Sequence, residues 1–329
     1  MPSGYHGRIL RVDLTRGQVS VDTPDELFYR RYLGGAAFVA YYLLREVRPG
    51  TDPLGPENRL VFACGPLTGA PLAGSGRNAI GALSPLTGAM GEADVGGFWG
   101  VELKAAGFDA ILVHGQAATP VYLWVHDGEA ELRDASHLWG LENKETHTAI
   151  QAELGDERIR VALCGPAGEK LVRYAAIVAD LKHVAGRTGL GAVMGSKKLK
   201  AVAVRGSERP PLADRAKIGE LARWLRDNLH DVMGKFPDLG TGVSVIPYNA
   251  QGALPVHNFR DGHLEGADVI GREGLAEHVV VRMESCFACT VSCKKVVDAD
   301  KYYNKERLRP KYETFREQPL FLMANEQPP

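Results

Sequence analysis

The chain has 329 residues, of which 45 % are apolar and 24 % charged, and its formal net charge is -1. That balance fits a soluble globular protein and leaves no basic excess to gather on nucleic acid or an anionic membrane. The length exceeds what one core usually organises, so two domains, or one large domain and part of another, are expected.

The first residues, MPSGYHGRILRVDL, hold no apolar core region and no small-residue cleavage site, so no signal peptide is expected there. Arg8 to Leu14 alternates, Thr15 to Gln18 turns and Val19 to Asp22 returns, which predicts a β-hairpin. Thr23-Pro24-Asp25-Glu26 then offers an N-cap, a first-turn proline and acids for the start of a helix. Gly34-Gly35 breaks that helix, and Ala36 to Val47 forms the next. The longest apolar run, LGGAAFVAYYLL from Leu33 to Leu44, is too short to span a bilayer and reads as a buried helix. With no secretion signal, the five cysteines are expected as thiols or metal ligands in a reducing compartment, the cytoplasm.

From residue 59 the pattern changes to short aliphatic runs separated by glycine-rich loops, and a second set of this kind begins at Ile159. The two sets match each other. RLVFACGPLTG (59–69) aligns with RIRVALCGPAG (158–168) on the Cys-Gly-Pro of Cys64 and Cys164. GVELKAAGFDAILVHG (100–115) lies ungapped on GAVMGSKKLKAVAVRG (191–206), pairing Gly100 with Gly191 and Ala110 with Ala201. A spacing near one hundred residues is too long for a solenoid. The expected architecture is therefore α+β: an N-terminal β-rich domain of two related halves with flanking helices, residues 1–208, with a site between the halves. After the proline-rich linker SERPPLADR, Asp214 caps a helix with Ile218, Leu221, Trp224, Leu225, Leu229 and Met233 at helical spacing. A second, helical domain, incomplete and spanning 212–329, is expected from there.

Two kinds of motif carry chemistry. In ESCFACTVSC, Cys286, Cys289 and Cys293 place three thiols within eight residues, a spacing that lets their sulfurs converge on one soft metal centre. A closed zinc site needs four protein ligands, and His263 and His278 are the nearest further candidates, without a C-x2-C or H-x3-H partner. A [4Fe–4S] cluster accepts three neighbouring cysteines and one remote, so it is the preferred reading. Cys64 and Cys164 read as small buried hydrophobes at strand ends. The glycine-rich loops bring backbone amides close to a phosphate-bearing ligand, with Arg77 and Arg187 as cations inside them. Gly189-x-Gly191-x3-Gly195 also approximates a dinucleotide fingerprint, which keeps a nucleotide-dependent dehydrogenase open; no P-loop is present, because Lys197 does not directly follow Gly195.

The segments YHGRILRVDLTRG, RLVFACGPLTGAPLAGSGRNAIGALSPLTG, GGFWGVELKAAGFDAILVHG, RDASHLWG, GPAGEKLVRYAAIVAD, AGRTGLGAVMGSKKLKAVAV, ALPVHNF and the cysteine triplet resemble the tungsten-containing aldehyde ferredoxin oxidoreductase family. The resemblance reaches to about residue 314. It implies a tungsten (or molybdenum) bis-pterin cofactor, a [4Fe–4S] cluster, and a magnesium ion bridging the pterin phosphates. By that resemblance Arg77 contacts a pterin. Asp94, Val95 and Gly96 form one phosphate loop, and His183, Val184 and Gly186 belong to its counterpart in the second half. Asp94 stands where the family more often has Asn, and His183 where an arginine is common; the magnesium is held by backbone carbonyls at Asp94 and Val184, which side-chain changes leave in place. Cys286, Cys289 and Cys293 match three cluster ligands, and Glu313 matches a carboxylate that assists proton transfer.

The implied reaction oxidises a small aldehyde to a carboxylic acid, with ferredoxin as electron acceptor. Family members continue for about as long again through helical domains that supply the fourth cysteine, whereas REQPLFLMANEQPP resembles nothing in the family. A truncated chain is the expectation, with a homodimer or a partner chain left open. The alternative is a non-catalytic cofactor-binding or assembly subunit that needs a partner.

Overall fold

The computed structural model describes residues 1–271 and 280–297, which fall into two compact units, Met1–Ile218 and Gly219–Pro329. In the first unit the opening hairpin is β1 (Ile9–Asp13) and β2 (Gln18–Asp22). Helices α1 (Glu26–Tyr32) and α2 (Ala36–Glu46) follow. Asp25 is the N-cap of α1, its carboxylate accepting the Phe28 N–H at 2.8 Å, so Pro24 precedes the cap and is not the first-turn proline expected. Nor is α2 buried all round. Phe38, Val39, Tyr42 and Leu43 face inward while Leu44 is 86 % exposed, because the helix covers a sheet on one side only.

Next come β3 (Leu60–Cys64), β4 (Asn78–Leu83), β5 (Met90–Val95), α3 (Trp99–Ala105) and β6 (Ala110–His114). They close a six-stranded sheet in the order β2-β1-β6-β3-β4-β5. The second half contributes β7 (Val121–His126), β8 (Glu129–Asp134), α4 (Asn143–Leu154) and β9 (Arg160–Cys164). It ends with α5 (Pro166–Glu169), β10 (Ile177–Ala179), β11 (His183–Ala185), α6 (Leu190–Ser196) and β12 (Leu199–Arg205). Its sheet order is β11-β10-β9-β12-β7-β8, the same topology strand for strand.

The repeat extends to register. Ala63 pairs with Ala110 and Phe62 with Ile111 in the first sheet; Leu163 pairs with Ala201 and Ala162 with Val202 in the second, as the sequence alignment requires. Even the turn after the central helix repeats: Gly107 (φ 90°) and Lys198 (φ 55°) both adopt the left-handed conformation, though only the first is glycine.

The two sheets sandwich α3 and α6. Leu60, Phe62, Ile80 and Ile111 of one sheet and Leu123, Ala162, Ile177 and Val202 of the other share one core with Trp99, Leu103, Leu190 and Val193. The Trp99 indole N–H donates to Val202 O at 3.0 Å, fixing α3 to the opposite sheet. The outer face of the first sheet is covered by α1 and α2, and that of the second packs with Leu138 and with Ile150 of α4. Central strands are buried on both faces, which is why β3 and β6 read as unbroken apolar runs.

A buried cation of the second half, Lys197, braces it to the first: it donates to Asn58 O at 2.7 Å, Gly115 O at 3.1 Å and Pro56 O at 3.3 Å, and burial pushes its ammonium down to about 7. Within the first half Lys104 pairs with Asp109, both fully buried. The proline-rich linker is tied to this unit through Gly4 N–H to Pro211 O at 2.7 Å and Glu208 N–H to Ala105 O at 2.9 Å.

Helix α7 (Arg215–Asp227) crosses into the second unit and starts where expected, with Asp214 accepting the Lys217 N–H at 2.8 Å. The second unit continues through α8 (Leu229–Met233), α9 (Phe236–Leu239), α10 (Val245–Ala250) and α11 (Ala267–Ile270). A hairpin of β13 (Val280–Glu284) and β14 (Lys294–Val297) completes its described part. Among the described residues no helix is long and apolar enough to cross a membrane.

Candidate functional site

The edge strands β5 and β11, one from each half, approach each other. Gly97, at φ 105°, lies two residues past the end of β5, and a Cβ there would lie 2.6 Å from Nε2 of His183 at the start of β11. At the other end, a Cβ on Gly91 would lie 2.5 Å from the Thr188 hydroxyl, and the Ser84 hydroxyl donates to Thr188 O at 2.8 Å. The two segments therefore run antiparallel, side by side, and glycine is required at both crossings because a side chain would push the edges apart. This brings Asp94, Val95 and Gly96 alongside His183, Val184 and Gly186.

Arg77 sits at the same end of the first sheet as Gly96, since the next residue, Asn78, pairs with Val95. Its loop is shaped by Thr68, whose hydroxyl accepts the Gly65 N–H at 2.9 Å and donates to Arg77 O at 2.8 Å. Arg77, Asp94 and Arg187 are exposed, Val95 and His183 are buried, and Gly96, Val184 and Gly186 are intermediate. Asp94 pairs with Ala79, which belongs to the outer core under α2, so its side chain lies on the α2 face beside Glu92. There burial, and then the neighbouring Asp94, push the Glu92 carboxyl above its ordinary value. The backbone of residues 94–96, not the Asp94 carboxylate, faces the partner strand.

Gly97, Gly91, Thr188, Ser84 and Thr68 were not among the residues that sequence reasoning selected. Gly97 is the second glycine of a pair and carries no signal of its own. Asp180, Leu181 and Thr188 around β11 adopt positive φ without being glycine, which no residue pattern announces. The glycines of Gly189-x-Gly191-x3-Gly195 have a packing cause. A Cβ on Gly191 would meet Ala176 O at 2.3 Å, and one on Gly195 would meet Gly168 O at 2.0 Å, so they let α6 seat against the α5 segment. That accounts for the fingerprint-like spacing without a nucleotide.

In the second unit the three cysteines occupy the turn between β13 and β14. Cys289 N–H donates to Cys286 O at 3.2 Å, and left-handed Ala288 (φ 48°) and Ser292 (φ 49°) reverse the chain. The hydroxyls of Ser285 and Ser292 lie 2.5 Å apart across its base. Burial, followed by the charges of Cys286 and Cys289, pushes the Cys293 thiol above its ordinary value. Among the described residues no group of three or more His, Cys, Asp or Glu side chains is drawn together tightly enough to hold a metal ion as it stands.

Cys64 and Cys164 belong to the first unit. Their thiols face Gly100 O at 3.3 Å and Leu199 O at 3.6 Å, and burial pushes each to about 12, so they stay protonated and are poor metal ligands. Glu313 and His278 lie outside the described residues.

Residues 9–206 match the family model described as aldehyde ferredoxin oxidoreductase, N-terminal domain, and residues 220–316 match the model for domains 2 & 3 of the same family. Over 296 residues the chain is 44 % identical to the tungsten-containing aldehyde ferredoxin oxidoreductase of Pyrococcus abyssi, covering 89 % of this chain and 49 % of that protein. It is 32 % identical over 309 residues to the WOR-like subunit of an aliphatic sulfonate oxidoreductase of Pyrococcus furiosus, with the same two coverages. Among solved structures, the active site complex BamBC of benzoyl coenzyme A reductase, in complex with 1,5-dienoyl-CoA, superposes with a TM-score of 0.79 at 31 % identity. The superposition covers 96 % of this chain and 54 % of that one. The chain thus spans about half the length of the curated relatives it matches.

Proposed function

Since the chain belongs to the aldehyde ferredoxin oxidoreductase family, we propose that it binds a tungsten bis-pterin cofactor along the β5–β11 edge and an iron–sulfur cluster at its cysteine turn. Together they would serve the oxidation of a small aldehyde. The observation that carries this reading is the antiparallel meeting of equivalent edge strands from two halves of identical topology. A ligand with two equivalent arms, each bearing a phosphate, suits such an edge.

The residues present fit these groups. Gly97 and Gly91 hold the two backbones close, and Gly74 and Gly88 in the adjoining loops have open space where a Cβ would stand. Arg77 and Arg187 supply exposed guanidinium groups for phosphate or for a heterocycle's carbonyl edge. Backbone carbonyls of Asp94 and Val184 would hold a magnesium between the phosphates, a role independent of the Asp94 side chain. Three thiols in one turn suit iron and sulfur, with Cys286, Cys289 and Cys293 as three of four ligands. When bound, the metal–pterin group supplies the two-electron redox chemistry by which an aldehyde and water yield a carboxylic acid, two protons and two electrons.

This chain's part is to position and insulate the cofactor, to lead electrons past the cysteine turn towards ferredoxin, and, at Glu313, to accept a proton. The thiols and the absence of basic excess fit a cytoplasmic setting without nucleic-acid or membrane partners. A second reading, a non-catalytic cofactor-binding or assembly subunit that needs a partner, is supported by the likeness to a chain named as a WOR-like subunit and to one of the BamBC complex. Metal analysis of protein purified without oxygen tests both. Tungsten or molybdenum together with about four irons per chain supports the enzyme. Iron alone supports the subunit, and absence of both metals sinks the two readings.

A further inference from the structure

Among the described residues four lysines are buried. Three have partners that account for the burial of a charge: Lys104 pairs with Asp109, Lys200 with Glu169, and Lys197 donates to three backbone carbonyls. The fourth, Lys295 on β14, is 8 % exposed, and among the described residues its ammonium has neither a carboxylate nor a carbonyl partner. Two observations fix its place in the cysteine turn. Lys295 stands two residues after Cys293, so along the strand their side chains share a face. A Cβ on Gly240 would meet both Cys293 O and, at 2.8 Å, Lys295 Nζ, which puts the ammonium at the Cys293 end of the turn. Burial works against its charge, and Cys293 is the one group that works to keep it.

A buried ammonium without a partner calls for an anion beside it. Iron and sulfur on thiolate ligands carry net negative charge, and each electron taken up adds one more, so the reduction potential depends on the charges and the exposure around the thiolates. We propose that Lys295 is the countercharge of the iron–sulfur group held by Cys286, Cys289 and Cys293, and that it favours the reduced state of that group. This rests on the iron–sulfur reading of the turn and goes beyond it, because Lys295 is not a ligand. It is a positioning residue that acts through the thiolates and touches no substrate. One electron enters from the oxidation reaction and leaves to the acceptor, while Lys295 keeps its proton throughout. Lys294 also bears on Cys293, but it is only half-buried and points to the other face of the strand, so solvent screens it.

The test is a redox titration of the full chain purified without oxygen, with dithionite as reductant and electron paramagnetic resonance following the reduced iron–sulfur signal. Lys295→Met should keep the iron but lower the midpoint potential by about 59 mV or more, a tenfold fall in the equilibrium constant of a one-electron reduction. Lys295→Arg, which keeps the charge, should stay near wild type, and Lys294→Met should shift the potential less than Lys295→Met does. If Lys295→Met loses its iron while Lys295→Arg retains it, the same need for a cation is shown. Equal potentials in wild type and Lys295→Met, loss of iron from both Lys295 variants, or a larger shift from Lys294→Met would each overturn the inference and leave the ligand assignment standing. A wild-type chain that holds no iron removes the iron–sulfur reading, and this inference with it.

Discussion

Lys104→Met is the sharpest test of how the first unit is held together. The Lys104 ammonium and the Asp109 carboxylate lie 2.5 Å apart with no exposure to solvent, and Lys104 also donates to Gly4 O at 2.7 Å. Asp109 accepts the backbone N–H groups of Gly7 at 2.7 Å, His6 at 3.2 Å and Arg8 at 3.3 Å, so it organises the chain leading into β1. Methionine keeps most of the lysine's apolar volume but strands the carboxylate, and breaking one side of a buried pair costs about 3–5 kcal/mol. Urea unfolding of wild type, Lys104→Met, Asp109→Asn and the double variant, followed by far-UV circular dichroism, measures it. Asp109→Asn in the Lys104→Met background should recover part of the loss. A deficit below about 1 kcal/mol, or a double variant no more stable than Lys104→Met, would refute the reasoning.

Other outcomes follow from the same geometry. Burial holds His147 down to about 4, against about 6.5 when unfolded, so below 6.5 the unfolded chain takes up a proton that the folded chain refuses. Stability should fall by about 3 kcal/mol as pH drops from 6.5 to 4, and His147→Phe should flatten that slope in urea midpoints measured across the range. Gly97→Ala would set a methyl group 2.5 Å from the His183 ring at a positive φ, so it should lower stability by at least about 1 kcal/mol and reduce bound tungsten in metal analysis. Cys289→Ser should remove the iron and its visible absorbance, whereas Cys64→Ser should leave the iron content unchanged; loss of iron in both would refute the ligand assignment.

Much of the fold was legible because its signals are local. The β1–β2 hairpin showed in strict alternation, α7 in the Asp214 cap, and the duplication in Cys-Gly-Pro repeated at Cys64 and Cys164, which end β3 and β9 at equivalent register positions. Misreadings came where burial on one face decides. LGGAAFVAYYLL looks uniformly apolar, yet only one side of α2 meets the sheet, so Leu44 is left in solvent. The SERPPLADR segment has the composition of a free linker but is fastened by backbone hydrogen bonds that composition does not encode.

The same division holds for the site. The sequence by itself determined which groups are on hand: three thiols within eight residues, arginines inside glycine-rich loops, and two matching halves. Only the tertiary structure decided which backbones meet, that Gly97 packs on His183, that Asp94 turns towards α2, and that Lys197 reaches the carbonyls of residues 56, 58 and 115. The reason is physical. Spacing along the chain dictates what a few neighbouring residues can ligate or cap, whereas the approach of two sheet edges is set by how two whole cores pack around α3 and α6, a balance spread over many residues distant in sequence.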